Sequence, residues 1–240
     1  IEGVETFPES ELIAIFMPLK SRTTLADVLR CVRESNSIPA SAEAVWDEVQ
    51  SRNKLHAAPL AWSNNSYVGW AHNVMTTLAE ALSSAHQQST AHCDIKPSNV
   101  LVTAEGSPVL IDFNLSLRWD VESSSPNIGG TMPYMSPEQI QAFDAKQQGN
   151  IGPRTDIYGL AATMYQLLTG ELPFESTPDE SVSDILMRRK KRTRSVHRMN
   201  PRVSASFSSV IMECLSYDPK GRPHSAADLV ARLNQVSPVP

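Results

Sequence analysis

Three polar residues, Asp94, Lys96 and Asn99, lie within six positions of one another, directly before the apolar run Val100-Leu101-Val102. A second acid, Asp112, follows eighteen positions after Asp94. Transfer of a phosphoryl group needs a carboxylate to orient the attacking hydroxyl, a cation for the phosphate charge, and oxygen ligands for Mg²⁺. The spacing of these four residues therefore predicts a phosphoryl-transfer site.

The two segments that carry these residues resemble the catalytic loop and the metal-binding strand of eukaryotic-type (Hanks-type) protein kinases. The family signatures read H-R-D-L-x-x-x-N and D-F-G, and this chain has His-Cys-Asp-Ile-Lys-Pro-Ser-Asn at 92–99 and Asp-Phe-Asn at 112–114. Residues 130–138 resemble the end of an activation loop, 156–159 the start of the central helix of the large lobe, and 218–223 a late turn. Five matches in the family's order, over roughly residues 12–235, make chance a poor explanation.

The resemblance implies a role for each polar residue. Asp94 would accept or orient the proton of the substrate hydroxyl, and Lys96 would contact the transferring phosphate. Thr131 is expected to bridge Asp94 and the substrate loop. Asn99 and Asp112 would hold Mg²⁺ through oxygen atoms, as a hard cation requires. The alternatives are a loop-capping acid, a solvated lysine, and an asparagine and a threonine that serve only the loop; the matching offsets favour the catalytic interpretation.

The adenine ring of ATP is expected to bind the segment after the second strand. Aligning Met17 with the family's gatekeeper residue makes 18–22 the hinge between the lobes, where the Pro18 carbonyl and the Lys20 N–H would bond the purine. Leu101 is predicted to line the same site. The alternative is a plain interlobe linker. ATP and Mg²⁺ are the cofactors that the resemblance implies.

Four further residues are predicted to have structural roles. In the family, residues at the positions of His92 and Phe113 stack in an apolar column, which is anchored on the acid corresponding to Asp156. Glu138 and Arg222 are expected to form an ion pair, because arginine can bind a carboxylate through two parallel hydrogen bonds.

The chain departs from the family pattern at two motif positions. Cys93 occupies the place of the arginine that normally receives an activation-loop phosphate, so ordering by phosphate is in doubt. Asn114 replaces the glycine of D-F-G, and asparagine tolerates left-handed backbone angles. We expect the family's Gly-rich loop, strand lysine and partner glutamate upstream of Ile1, in a longer parent. The chain by itself is then expected to transfer phosphate poorly, because catalysis depends on preorganised groups.

The expected fold class is α+β, a protein-kinase-like fold with a mostly helical large lobe and a partial hairpin of the small lobe. Residues 1–17 would be the last strands of the small lobe, 18–22 the hinge, and 23–240 the large lobe, with a predicted insertion at 33–65. The apolar patterns predict strands and helices, namely strands at 2–7, 12–17, 100–103 and 108–111, and helices starting near Leu25, near 42–49, at 68–85, at 157–168, around 207–215 and after Ser225.

Bulk composition narrows the class of protein. The 240 residues carry a formal net charge of −5, which argues against nucleic acid as the main partner. Three cysteines without a C-x-x-C pair indicate a reducing compartment and give no metal motif. No apolar run reaches the ~18 residues of a membrane helix. The expected location is the cytoplasm, or the cytoplasmic part of a membrane-anchored protein. The basic run 188–194 is predicted to be a solvated face.

The sequence thus predicts a protein serine/threonine kinase that transfers the γ-phosphate of ATP to serine or threonine hydroxyls of a protein substrate. Lys96 is typical of this class, and the motifs resemble those of bacterial members. A pseudokinase, which keeps the fold as a binding or scaffold module, is the alternative. A small-molecule kinase is a weaker one, because Thr131 and residues 136–138 build a peptide shelf in the family. The oligomeric state stays open.

Overall fold

A computed structural model describes most of the chain, namely residues 3–7, 12–16, 20–54, 62, 65–113, 115–118, 129–145, 151–175, 177 and 180–240. The predicted gatekeeper residue Met17 and the predicted hinge residue Pro18 lie outside the described residues, as does Asn114.

Short antiparallel strand pairs make up the β structure of the described residues. They are β1 (Gly3–Phe7) with β2 (Leu12–Phe16), β3 (Thr90–Ala91) with β6 (Leu117–Arg118), and β4 (Val100–Val102) with β5 (Pro108–Leu110). The four predicted strands are confirmed, with ends that differ by one residue. The turn between β4 and β5 contains Gly106 at φ 75°, a backbone angle that glycine adopts readily.

The rest of the described chain is mainly helical, which confirms the α+β class. The helices are α1 (Leu25–Glu34), α2 (Glu43–Asn53), α3 (Tyr67–Gln87), α4 (Pro137–Ala145), α5 (Pro153–Thr169), α6 (Val182–Lys190), α7 (Val196–Met199), α8 (Ala205–Cys214) and α9 (Ala226–Leu233). The helices predicted at 68–85, at 157–168, around 207–215 and after Ser225 are all present. Helix α1 begins after its N-cap, Thr24, which forms a capping box with Asp27.

The centre of the core is α5, which packs against α3, α7, α8 and α9. Its residues are buried on nearly every side, as the apolar pattern of the sequence predicts for a central helix. The helix ends at Gly170, whose φ of 78° is the left-handed angle of a common helix C-cap. The N-terminal end of α5 carries Asp156, so the most buried helix of the lobe also fixes the position of a carboxylate.

The region predicted as an insertion contributes to the core. Helix α2 covers and extends the predicted segment 42–49, and it packs against α1. Val45, Trp46 and Val49 are almost completely buried, while Arg52 and Glu48 form an ion pair on the outer side. The sequence shows only a weak helical pattern here because polar residues occupy most of the other positions.

Candidate active site

The loop before β4 is held by one buried carboxylate. Asp156 accepts hydrogen bonds from the backbone N–H groups of His92 and Cys93, each 2.8 Å long. The ring of His86 lies 2.8 Å from the same carboxylate. Cys93 has φ 65°, a left-handed angle that is unfavourable for a residue with a side chain and persists only where the surroundings enforce it. The two bonds to Asp156 provide that enforcement and set the direction of the following residue, Asp94.

Asp94, Lys96 and Thr131 form a compact cluster, although Thr131 is far from the other two in sequence. The Lys96 ammonium lies 2.7 Å from Asp94 Oδ2 and donates to Thr131 Oγ1 at 2.8 Å. Thr131 donates its N–H and its hydroxyl to Asp94 Oδ1, at 3.2 and 3.3 Å. Asp94 is only 7% exposed, so these contacts keep its position well defined. The structure therefore brings together the three residues predicted to act on the acceptor.

Asn99 lies on the other side of Asp94, at the end of a short 3-10 turn, Pro97–Asn99. Its Nδ2 donates to the Asp94 carbonyl at 2.9 Å and to Asp94 Oδ2 at 3.0 Å. Because both partners are oxygens that accept, the amide nitrogen must be the end that faces Asp94. The amide oxygen, which is the end that could bind a metal, is therefore directed away from Asp94.

The β4–β5 pair places Asp112 at the same end of the site. Val100 is opposite Leu110, and the Ile111 N–H donates to the Asn99 carbonyl at 2.9 Å. Asp112 follows Ile111 directly, so the two predicted Mg²⁺ ligands come from adjacent points of one hairpin. Asp112 is exposed and has φ 67°, which directs the chain sharply after the strand.

The predicted contact between the rings of His92 and Phe113 is present, with Phe113 43% exposed. The rings of His92 and Phe113 lie 4.6 Å apart in an edge-to-face arrangement. His92 is fully buried, and its Nε2 lies 3.0 Å from the Ile111 carbonyl. This ring therefore joins the Asp94 loop to the strand that carries Asp112, and the interpretation of His92 as a packing residue is confirmed.

The predicted ion pair between Glu138 and Arg222 is confirmed as a buried, two-bond contact. Arg222 Nη1 and Nη2 donate to the two carboxylate oxygens at 2.7 and 2.9 Å. The Arg222 side chain is 0% exposed and the Glu138 side chain 9% exposed. Arg222 also donates to the carbonyls of Ser216 and Arg154. These bonds tie the start of α4, just after Thr131, to the turn before α9.

A family profile described as "Protein kinase domain" matches residues 15–232, which is most of the chain and all of this site. The chain belongs to the protein kinase family. Its α+β fold, with the mostly helical large lobe, is the protein kinase fold.

Among curated proteins, the chain is similar to bacterial serine/threonine-protein kinases. It is 32% identical to "Serine/threonine-protein kinase PrkC" of Bacillus subtilis over 163 residues, which are 67% of this chain and 24% of that protein. It is 28% identical to "Serine/threonine-protein kinase PknB" of Mycobacterium tuberculosis over 167 residues, 68% of this chain and 25% of that protein. The matched region thus spans about a quarter of the length of these relatives.

The described residues fit a metal that binds together with a nucleotide. Within the described part of the chain, no three His, Cys, Asp or Glu side chains are grouped so as to hold a metal ion by themselves. Mg²⁺ in kinases is commonly bound by one or two protein oxygens and completed by substrate phosphates and water. Asn99 and Asp112, as an amide and a carboxylate at one end of a hairpin, suit that kind of binding.

The predicted nucleotide contacts of this kinase are only partly described. Leu101 lies in β4, half-buried, and forms an isolated bridge with Thr24. Ser21 donates its hydroxyl to the Val102 carbonyl at 2.6 Å, so the end of the predicted hinge is fixed against the strand that carries Leu101. Lys20 is exposed.

None of the helices in the described residues is long and apolar enough to span a membrane.

Arg189 was predicted to lie on a solvated face, and this prediction is wrong. The side chain is buried, at 3% exposure, and it donates to the Tyr158 hydroxyl at 2.6 Å and to the Met132 carbonyl at 2.7 Å. Its guanidinium also lies over the rings of Tyr158 and Phe174. Burial raises the pKa of the Tyr158 phenol, while the guanidinium of Arg189 opposes this rise, so the phenol stays a neutral partner.

The contact to Met132 makes Arg189 a support for the segment beside Thr131. That segment is a 3-10 turn, Met132–Tyr134, and Arg189 reaches it from α6. Lys190, Lys191 and Arg192, its neighbours in the basic run, are exposed as predicted. No local sequence signal separates Arg189 from them, because Tyr158 and Met132 are 31 and 57 positions away.

A cavity of about 300 Å³ opens beside Lys96 and Thr131. Its walls come from one side of α1, from the loop that carries Lys96, and from Tyr134 and Gln166. Tyr134 is fixed in place because its hydroxyl donates to Gln166 Oε1 at 2.7 Å. The cavity therefore borders the Asp94 cluster through Lys96 and Thr131.

Proposed function

We propose that this chain is the large-lobe part of an ATP-dependent protein serine/threonine kinase, which transfers the γ-phosphate of ATP to serine or threonine hydroxyls of proteins. The observation that carries this proposal is the Asp94, Lys96 and Thr131 cluster. A carboxylate, an ammonium and a hydroxyl converge there beside an open cavity, and each has a task in phosphoryl transfer.

Asp94 would receive the acceptor. The substrate hydroxyl would approach its carboxylate, which orients the oxygen toward the γ-phosphorus and takes the proton as the new O–P bond forms. The bond between the γ-phosphorus and the oxygen of ADP breaks in the same step. Because Thr131 and Asn99 fix the two carboxylate oxygens, Asp94 does not need to reorganise when the hydroxyl arrives.

Lys96 would bind the phosphoryl group during transfer. Its ammonium lies between Asp94 Oδ2 and Thr131 Oγ1, and a cation there offsets the negative charge on the oxygens that move toward the acceptor. Asn99 and Asp112 would bind Mg²⁺ through their side-chain oxygens. Mg²⁺ bound with ATP would neutralise charge on the phosphates. Leu101, Lys20, Met17 and Pro18 are the proposed nucleotide contacts.

The turn beside the cluster of Asp94, Lys96 and Thr131 supports a proposal for the class of substrate. Arg189 donates a hydrogen bond to the Met132 carbonyl in the turn at Met132–Tyr134. The Tyr134 hydroxyl, in the same turn, donates to Gln166. A supported main-chain turn beside an acceptor site suits an extended peptide better than a small metabolite. We therefore propose a protein substrate and, in accordance with the sequence, activity in the cytoplasm.

A pseudokinase is the second candidate, and one observation favours it. Cys93 stands where the family resemblance places the phosphate-reading arginine, and it is a buried, uncharged residue. A chain with this change could keep the fold for binding other proteins. The contacts of Asp94 with Lys96, Thr131 and Asn99 nevertheless support transfer, which is therefore the first candidate.

The test uses the full-length protein with ATP labelled at the γ-phosphate, Mg²⁺ and a set of acceptor proteins. Phosphoamino acid analysis should find label on serine or threonine, and omission of Mg²⁺ should abolish it. Nucleotide binding without any transfer would contradict the proposal and support a scaffold role. Transfer of label to a small molecule alone would point to a small-molecule kinase.

A further inference from the structure

The side chain of Gln139 joins the Asp94 loop to the segment that leads into Thr131. Gln139 lies in the first turn of α4 and is 3% exposed. Its Nε2 donates to the Cys93 carbonyl at 2.5 Å and to the Gly129 carbonyl at 2.8 Å. Carbonyl oxygens only accept hydrogen bonds, so the NH₂ end of the amide must face both of them. Both donors of this amide are thus used to link two loops.

The main chain passes so close to the Gln139 side chain that glycine is needed at position 130, directly after Gly129. Gly130 has φ 142°, and a Cβ atom there would lie 3.0 Å from Gln139 Nε2 and 3.0 Å from Met135 Cγ. The following residue, Thr131, donates its N–H to Asp94 Oδ1. Only one residue therefore separates the Gly129 carbonyl, which Gln139 binds, from the N–H that contacts the proposed base.

Cys93, the other partner of Gln139, offers backbone contacts and no charge. Its N–H donates to Asp156 and its carbonyl accepts from Gln139. Its side chain packs with Ala91, Leu117 and Ile151. Burial, and then the negative charge of Asp156, raises the pKa of the Cys93 thiol far above its ordinary value. The side chain stays neutral at any physiological pH.

We propose that Gln139 is a positioning residue, which holds Thr131 against Asp94 through two uncharged hydrogen bonds. The substrate loop then keeps its active arrangement without a phosphate on the segment that precedes it. This inference rests on the proposed function, since it concerns the geometry around the proposed base. The Gln139 amide, in place of the arginine that the family has at position 93, links the loop of Cys93 to the segment at Gly129. Hydrogen bonds from a neutral amide do not depend on modification or ionic strength.

The test compares Gln139→Glu with Gln141→Glu in the full-length protein. The first substitution keeps the shape of the side chain but replaces its two donors with a carboxylate next to two carbonyl oxygens. Gln141 lies on the same helix and is exposed, with one contact to the Tyr217 hydroxyl at 3.2 Å, so it is a matched control. Gln139→Glu should lower kcat/KM for the acceptor protein about tenfold or more, because a buried donor–acceptor contact is lost.

Two further readouts separate positioning from general stability. Affinity for ATP with Mg²⁺ should stay within about twofold of the wild type, since the Asp112 side is untouched. Amide hydrogen exchange across residues 129–135 should be faster in Gln139→Glu than in Gln141→Glu. If Gln139→Glu does not fold, Gln139→Met, which lacks both donors and adds no charge, takes its place.

Equal transfer by the two variants would overturn the inference. So would a parallel loss of transfer, ATP affinity and melting temperature, which would show that Gln139 only stabilises the lobe. If the wild type transfers no label, the proposed function fails, and the exchange measurement alone decides the Gln139 contact: unchanged exchange at 129–135 would overturn it.

Discussion

The proposed acceptor side of the site and its proposed nucleotide side are built differently. On the acceptor side, Asp94 is buried and is bonded to Lys96, Thr131 and Asn99. On the nucleotide side, Asp112 is exposed, and its main chain is positioned by the neighbouring Ile111–Asn99 hydrogen bond and by a left-handed φ.

This difference matches what each side has to do. A base that acts on a neutral hydroxyl gains from being fixed in advance, because reorganisation during the reaction would raise the barrier. A metal ligand needs to be in the right region, and the cation with its phosphates then completes the coordination. Substitutions on the acceptor side are therefore expected to lower the rate of phosphate transfer. Substitutions on the nucleotide side are expected to lower the affinity for ATP in the presence of Mg²⁺.

The largest expected effect is on the acceptor side. Asp94→Asn in the full-length protein should lower the rate of phosphate transfer by about 10²–10⁴-fold, because an amide cannot accept the proton of the hydroxyl. The shape of the side chain is kept, so folding should be unchanged. A labelled-phosphate assay measures the rate, and transfer close to the wild-type rate would show that Asp94 is not the base.

The next largest effect is expected at the buried ion pair between Glu138 and Arg222. Arg222→Ala leaves the buried carboxylate of Glu138 without its partner, which should cost about 3–5 kcal/mol in the free energy of unfolding. Arg232→Ala is the control, because its pairs with Glu213 and Asp228 are about one-third exposed or more and should contribute about 1 kcal/mol or less each. Urea unfolding of both variants decides this, and equal losses would mean that burial of the Glu138 pair is not important.

The nucleotide side should respond differently. Asp112→Ala should weaken binding of ATP in the presence of Mg²⁺ by at least about tenfold, or about 1.4 kcal/mol, because a carboxylate is the main charged ligand for the metal. Binding without metal should change little. Titrations with and without Mg²⁺ measure both affinities, and equal losses would indicate a structural role for Asp112.

Much of this site could be predicted from the sequence, because several of its residues lie close together in the chain. Asp94, Lys96 and Asn99 act from one short loop, so their spacing carries the information directly. The Glu138–Arg222 pair spans 84 positions, and only the family resemblance identified it. The strands and the central helix followed from apolar periodicity.

Other parts could not be predicted because their partners are distant in sequence. Arg189 lies in a run of basic residues, and its burial depends on Tyr158 and Met132, which no local pattern connects to it. Gln139 is an ordinary polar residue in a helix, and its contact to Cys93 is 46 positions away. The gatekeeper residue Met17 and the hinge residue Pro18 lie outside the described residues, so their predicted roles stay predictions.

The smallest expected effect concerns the loop before Thr131, where Ser123, Ser124 and Ser125 offer hydroxyls for modification. Phosphatase treatment of the full-length protein should change its transfer rate by no more than about twofold, because Cys93 has no charge with which to bind a phosphate. Treated and untreated samples are compared in one assay. A large drop after treatment would show that another cation, such as Arg154 or Arg118, binds the phosphate.

We propose that Asp94 acts on the acceptor, while Asp112 acts on the metal and its nucleotide. The most direct test is the affinity of the Asp94→Asn variant of the full-length protein for ATP with Mg²⁺, measured by calorimetric titration. We predict an affinity within about twofold of the wild type, together with the loss of transfer. A loss of affinity as large as that of Asp112→Ala would contradict the division of the site into these two sides.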